Sequence, residues 1–575
     1  MTTINIPKPT TTTIAFPYSG DYRIDVLLYG ADRRWTEAGK PAKLTFSFMF
    51  NGKTVPSPDD PKGYYTFTDE QRDATRAILK LISEQVGITF TEVDETKGDF
   101  GSLRFGNESQ GRVSNGSTLP YLPLYSNVFI NGDTESNMTN IVPGKYNWTT
   151  LVHEIGHALG LKHPGNYNAG SVTSTEKDNY LASAEDNNLN TIMSYNSAPQ
   201  KQERDFFGKY DLLALRYLFG KTAFHTEDNT YTYNDKSGQI LSLITDDGGI
   251  DTINISTVSI GSKIDLTPGG NQSIGVLSTG KAAIDNISIA YDATIENVIG
   301  TAFADEIILN AAANSIDGGA GVDVVKFKEA RLQFKVEVST TDNKRVLKFV
   351  DQKNAQNTDQ LVNVEKLEFS DMKIDLTVGD AVKSVSAVAV KTIAELYVAY
   401  FNRVPDAEGM NYWISQYKAG ATIEDIGRAF YGAAVSPTFS ALTGYTTAMT
   451  DTDFVKLVYK NVLGRNEVDQ AGLDYWSNAL AKPAGTAGAE TRGTLINTIL
   501  NAAHSFKGDA QYGFVADLLD NKYAVANFFA LQQGITYNTP QETYVKCVEI
   551  AKAITPTDIQ AAINLIGISD APIVG

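Results

Sequence analysis

Residues 151–163, LVHEIGHALGLKH, hold three of the five histidines in the chain. In a helix, His153 and His157 share one face, so both imidazoles reach a single ion at roughly 2.0–2.1 Å. Glu154 stands beside them. Gly160 permits a left-handed backbone, which ends the helix and turns the chain so that His163 approaches the same ion from another side. Three neutral nitrogen ligands leave one coordination position open, and a water held there on zinc has a pKa of about 7. Glu154 is placed to take its proton. The competing reading is an amphipathic helix whose Leu151, Ile155, Ala158 and Leu159 face a core and whose histidines are merely polar. The added Gly160 and His163, at HExxHxxGxxH spacing, disfavour it.

A site of this kind needs a helix, a turn and a cleft, and the flanking sequence supplies them. From Leu44 to Phe50, Leu44, Phe46, Phe48 and Phe50 alternate as on a half-buried strand. Residues 68–86 read as a helix, with Thr68 and Gln71 as its capping box and Gly87 as its C-terminal cap. Short strands are expected at 88–93, 103–105 and 128–131. The last is expected to be the sheet edge beside the cleft, where an extended peptide would pair with the backbone. Tyr210 to Phe219 has helical spacing and stops at Gly220.

The whole chain sets wider bounds. Its 575 residues exceed one core and predict three or four domains. A net charge of −18 argues against nucleic acid as a partner. The single cysteine, Cys547, excludes intramolecular disulfides. The first residues, MTTINIPKPTTTTIAF, lack the pattern of a signal peptide and read as a leader, and no stretch approaches 18 uninterrupted apolar residues.

After Gly220 the pattern changes to short β segments separated by Gly, Asn and Asp. Gly318 to Val325 fits the nonapeptide GGxGxDxU, and stepping back nine residues at a time gives Asn314 with Ile316, then Asp305 with Ile307. In a parallel β-roll, alternate turns stack on one side. Loops 300–305 and 318–323 are therefore expected to enclose a calcium ion between Asp305, Asp323 and the backbone of Gly300, Gly318 and Ala320, at about 2.3–2.6 Å. A lone Asp-Gly cluster would instead be an ordinary turn. Residues 327–377 read as further strands that cap the roll.

Beyond a linker of small and apolar residues the composition turns helical and repeats with a period of 63 residues: Asp406, Gly409 and Tyr412-Trp413 are answered by Asp469, Gly472 and Tyr475-Trp476. Each unit reads as two helices joined at a tight turn. The aromatic pairs are expected in the core, with a platform for sugars or surface polymers as the alternative. Thr422 and Asp425 cap a further helix.

The motif at 153–163 is the metzincin pattern, and Thr191-Ile-Met-Ser-Tyr195 resembles the Met-turn of that clan, with Met193 as the floor under the metal. Together with HPGNY at 163–167 and the order of elements, residues 24–377 resemble the serralysin branch of zinc metalloproteases. That resemblance implies that Tyr195 is a further zinc ligand able to swing away and bind the oxyanion. It implies calcium at Asp246, Gly248 and Asp251, in a segment similar to a serralysin calcium site. Because 309–314 lacks glycines, fewer calcium ions are expected than in a full serralysin roll. It also implies secretion through an exporter that reads the C-terminus, and a small periplasmic proteinase inhibitor as partner. The final third resembles a tandem helical domain of unknown function.

The expected architecture is multidomain: a leader or pro-segment at 1–35, an α+β metzincin-like catalytic domain at 36–220, and a calcium-binding parallel β-roll/β-sandwich at 221–377. A linker at 378–388 and an all-α repeat domain at 389–575 follow. The expected function is a secreted zinc endopeptidase acting on extracellular or cell-surface proteins, with Glu154 as general base. The helical domain is expected to hold it at a cell-envelope or surface-layer component. The alternative is a surface-binding or adhesion protein with an inert zinc domain.

Overall fold

The computed structural model describes residues 19–29, 34–50, 64–109, 115–165, 167, 180–342 and 344–575. The expected leader lies mostly outside the described residues. Two compact units emerge, 1–312 and 313–575.

The first unit opens with a short helix, α1 (Tyr22–Asp25), and strand β1 (Ala42–Phe48), whose Ala42, Leu44 and Phe46 are buried. Strand β2 (Tyr64–Tyr65) precedes helix α2 (Asp69–Gln85). The Thr68 side chain accepts from Gln71 N, and the Gln71 side chain accepts from Thr68 N, so the capping box is complete. Ile78 and Ile82 on this helix are fully buried. Gly87 is not its C-terminal cap. The helix ends on extended Val86, and position 87 demands glycine because a Cβ there would lie 2.2 Å from the Phe219 carbonyl oxygen.

Strands β3 (Ile88–Glu92), β4 (Leu103–Glu108), β5 (Gly116–Tyr121) and β6 (Tyr125–Asn131) complete the sheet, in the order β3-β1-β4-β6-β5 with β2 on β4. All pairs along that path are parallel except β5-β6, which runs antiparallel with Thr118 opposite Val128. The expected edge at 128–131 is thus corrected: β6 is internal, and β5 is the edge. It carries Pro120, and proline is tolerated on an edge strand, where its missing N–H breaks no ladder.

Helix α3 (Tyr146–Leu159) buries Leu151, Val152, Ile155, Ala158 and Leu159. Strand β7 (Glu203–Arg204) and helix α4 (Lys209–Phe219) follow. From α4, Arg216 pairs with Asp292 at 2.6 Å and Lys209 donates to the Gly269 carbonyl at 2.9 Å. The boundary expected at 220 therefore falls inside this compact unit. Its β-rich part is a stack of three-residue strands: Thr252–Asn254 pairs in parallel with Thr230–Thr232 and Asn297–Ile299, and Lys263–Asp265 with Glu306–Ile308. Each turns one residue inward, and Ile253, Ile264, Val298 and Ile307 are buried.

In the second unit Ser315–Asp317 and Val324–Lys326 keep the nine-residue step and pair in parallel with Thr358–Val362 and Lys366–Glu368. A long antiparallel hairpin, Phe334–Thr341 with Lys344–Asp351, lies beside them. Met372–Asp375 pairs antiparallel with Ile535–Tyr537, so a strand from the helical third joins this sheet. Val378–Lys383, where a linker was expected, is a helix that starts on a fully buried Val378. The repeat appears as Ala387–Phe401 with Ala407–Lys418, and again as Asp451–Leu463 with Gln470–Ala481. Asp406 and Asp469 are the N-caps of the second helix in each pair. Asp570, near the end of the chain, pairs with buried Arg331 at 2.7 Å. No described helix is long and apolar enough to cross a membrane.

Candidate metal centre and cleft

Helix α3 ends where the sequence requires it to end: Gly160 adopts φ 109°, and the Leu161 N–H returns to the Gly156 carbonyl. The reversal brings His163 back over the helix. Its Nε2 lies 3.0 Å from His153 Nε2 and 2.9 Å from His157 Nε2. Two ligands about 2.0–2.1 Å from one tetrahedral ion stand about 3.3 Å apart, so the spacing is close to that of a shared metal. The other ring nitrogens fix the tautomers. His153 Nδ1 lies 2.8 Å from the Ile192 carbonyl and His157 Nδ1 2.8 Å from the Leu161 carbonyl. A carbonyl only accepts, so each Nδ1 carries the proton and each Nε2 turns a lone pair inward. The His153 and His157 lone pairs thus both face His163 Nε2, an arrangement that a shared cation satisfies. Burial holds His153 down to about 4 and, with the neighbouring imidazoles, His157 well below its usual range, so both rings are neutral at neutral pH. Among the described residues this is the one His/Cys/Asp/Glu group of metal-binding geometry.

Glu154 points into the same cleft. Its carboxylate accepts from Thr118 Oγ1 on β5 at 2.6 Å. Burial pushes its pKa up to about 7, against the Thr118 hydrogen bond and with help from the charge of Glu108. A carboxyl balanced near neutrality can both take and return a proton. A Cβ on Gly116 would lie 2.8 Å from Glu154 Cγ and Oε1, so β5 passes this close only because that residue is glycine.

Met193 is completely buried, and a Cβ on Gly156 of α3 would meet its sulfur at 2.7 Å. The turn that carries it is tied to α4: the Asp211 carboxylate accepts from Ile192 N and Gly208 N, both at 2.7 Å, and from Thr191 Oγ1. Ser194 Oγ and Tyr167 OH both donate to Asp186. Tyr195 is 60% exposed, with its ring 4.3 Å from that of His163 and stacked on Tyr167 at 4.9 Å. The described part of the N-terminal segment packs on the motif itself. Leu28 bridges to Leu161, Lys162 N donates to the Leu27 carbonyl, and Trp35 Nε1 donates to the Ala158 carbonyl.

The cleft holds about 340 Å³ and runs past His153, Glu154 and Tyr195 to Tyr146, Asn188 and Glu203. Sequence reading missed Gly116, Thr118, Asp186, Glu203 and Asp211. Only Asp211, one residue into the predicted helix 210–219, had a local signal, an acid in a first turn.

The residues expected to hold calcium are spread over both units. Asp246 and Asp251 are buried; the first accepts from Gly248 N at 2.9 Å and Tyr231 OH at 2.6 Å, the second from Asn229 N at 2.7 Å. Burial pushes the Asp251 carboxyl up to about 6. In the first unit Asp305, at the end of the loop that begins at Gly300, accepts from Ser262 N and Thr301 N, both at 2.7 Å. In the second unit Gly318 donates to the Val362 carbonyl, the loop passes through Ala320 with left-handed Gly319 and Gly321 on either side, and Asp323 is fully buried.

Comparison with known proteins agrees with this geometry. Residues 55–207 match the family described as metallo-peptidase family M12, residues 218–401 the peptidase M10 serralysin C terminal, and residues 432–505 a domain of unknown function (DUF4214). Serralysin C of Dickeya chrysanthemi is 33% identical over 294 residues, which are 47% of this chain and 59% of that protein. Serralysin of Proteus mirabilis is 32% identical over 321 residues, covering 48% and 61%. Metalloprotease AprA of Pseudomonas entomophila (strain L48) is 31% identical over 312 residues, covering 49% and 62%. The chain spans about three-fifths of the length of these curated relatives. Residues 55–207 and 218–401 are thus similar to metallopeptidase and serralysin C-terminal regions, and a stretch matching DUF4214 follows them.

Proposed function

We propose that the protein is a zinc-dependent endopeptidase, and the observation that carries this reading is the convergence of three imidazole Nε2 atoms, those of His153 and His157 proton-free, beside a buried glutamate. His153, His157 and His163 would hold the zinc, with Met193 beneath them. When bound, zinc supplies a Lewis acid that acidifies a coordinated water and polarises a carbonyl. Glu154 takes the proton of the attacking water and passes it to the departing amine; Thr118 fixes the orientation of its carboxylate. An extended peptide adds to the free side of β5, through backbone hydrogen bonds that read few side chains. Tyr195 would be a further ligand to the zinc, and its hydroxyl would be free to donate to the developing oxyanion once released. Calcium is assigned to Asp246, Gly248 and Asp251, to Gly300 and Asp305 in the first unit, and to Gly318, Ala320 and Asp323 in the second, as a brace of the β-rich region. On this reading the enzyme is secreted, its substrates are extracellular or cell-surface proteins, and a small periplasmic proteinase inhibitor and an envelope component bound by the helical region are its partners. The adhesion-only alternative is disfavoured because the ligand set and Glu154 are complete.

The test is Glu154→Gln, with zinc content and casein cleavage measured side by side. Cleavage should fall by about 10²–10⁴-fold with zinc retained. Cleavage within a few-fold of the parent would overturn the assignment.

A further inference from the structure

The helical region contains two copies of one structural unit, and they differ at one place. In the first copy Phe430 lies eight residues after the capping Thr422, and its ring packs against Trp413 at 4.9 Å, Tyr397 at 4.8 Å and Phe401 at 5.5 Å. These rings fill the space between the helices. Arg403 is satisfied there, donating to Asp406 at 2.9 Å and to the Val404 carbonyl at 3.2 Å.

In the second copy the tyrosine, arginine, aspartate and tryptophan recur as Tyr459, Arg465, Asp469 and Trp476, but both fillers are gone. Leu463 stands for Phe401, and Ile499, eight residues after the capping Thr491, stands for Phe430. A cavity of about 380 Å³ opens among Tyr459, Leu463, Arg465, Tyr475, Trp476 and Ile499. That volume is within the range of about 300–1,000 Å³ typical of small-molecule sites. The Arg465 guanidinium lies over the Tyr459 and Tyr512 rings, at 5.4 and 4.9 Å, and donates no hydrogen bond among the described residues. Its distance to Asp469 is 3.6 Å, against 2.9 Å for the pair in the first copy, and the Asp469 side chain is 52% exposed.

We propose that this cavity binds a neutral sugar ring of a glycan. Aromatic faces take the C–H faces of a pyranose, while Arg465 as donor and Asp469 as acceptor meet adjacent hydroxyls. An aliphatic or aromatic peptide side chain would cover the rings but use neither the hydrogen-bonding capacity of Arg465 nor that of Asp469, which disfavours it. The site is independent of the peptidase reading.

The experiment uses the full chain and saturation-transfer NMR with free glucose, galactose, mannose, rhamnose and N-acetylglucosamine. N-acetyltyrosinamide serves as the side-chain probe. At least one sugar should receive saturation on its ring protons. Ile499→Phe, which copies the filled first unit, should weaken that binding by at least about tenfold, with thermal unfolding and casein cleavage unchanged. Arg465→Met should weaken it without filling the cavity. Failure of every sugar, sugar binding unaltered by Ile499→Phe, or binding of N-acetyltyrosinamide alone would each overturn the proposal.

Discussion

The Asp211 carboxylate receives the Ile192 N–H at 2.7 Å, and the carbonyl of the same Ile192 receives His153 Nδ1 at 2.8 Å. One residue thus couples α4 to an imidazole of the histidine cluster. Asp211→Ala strands three donors and frees the turn that orients His153. Groups that orient metal ligands are worth about 10–100-fold in metal affinity. Zinc affinity, read by chelator competition, should fall within that range; unchanged affinity would mean that core packing alone holds the turn.

Gly116→Ala places a methyl 2.8 Å from Glu154 Cγ and Oε1. The edge strand or the glutamate must give way. A displacement approaching 1 Å costs about 10² in rate, so kcat should drop by that order while bound zinc stays stoichiometric. Equal kcat in the two proteins would show that Glu154 tolerates the shift.

Tyr195→Phe removes only a hydroxyl from a side chain that is 60% exposed. Stability should change by no more than about 0.5 kcal/mol. If the hydroxyl serves the oxyanion, kcat should fall by about 10²–10³ with KM little altered. A loss confined to zinc affinity would leave Tyr195 as a ligand alone.

Asp359 in the second unit accepts from Asn314 N at 2.9 Å, and burial, aided by Glu329 and Asp351, pushes its carboxyl up to about 7. The folded state then binds this proton more tightly than the unfolded chain, whose aspartates titrate near 3.9. Between about pH 4 and 7 stability from this group is lost as pH rises, and above pH 7 the full cost of the buried charge is present. Asp359→Asn, which mimics the neutral form, should unfold at a higher temperature than the parent at pH 8 and at the same temperature at pH 4. Calorimetry at both pH values, with metals held constant, decides it.

Local chemistry made much of this legible. The capping box at Thr68 and Gln71, the alternation of β1 and the helix from Tyr210 all depend on neighbours in sequence. So does the nine-residue step of Glu306–Ile308, Ser315–Asp317 and Val324–Lys326. The misreadings were of contacts between distant segments. Gly87 looked like a cap because glycines end helices, but its backbone lies against Phe219. Residues 128–131 looked like the sheet edge, and only the pairing of β6 with β5 makes them internal.

The sequence by itself determined the histidine cluster, since helical spacing and a glycine with positive φ suffice to bring His153, His157 and His163 together. Only the tertiary structure decided which nitrogens face inward, because the carbonyls that fix those tautomers come from Ile192 and Leu161 rather than from the helix. It likewise decided what surrounds Glu154, through Thr118 and Gly116. The 63-residue repeat was visible in the chain. That one copy is filled and the other hollow followed only from packing, where a phenylalanine and an isoleucine at equivalent positions occupy different volumes.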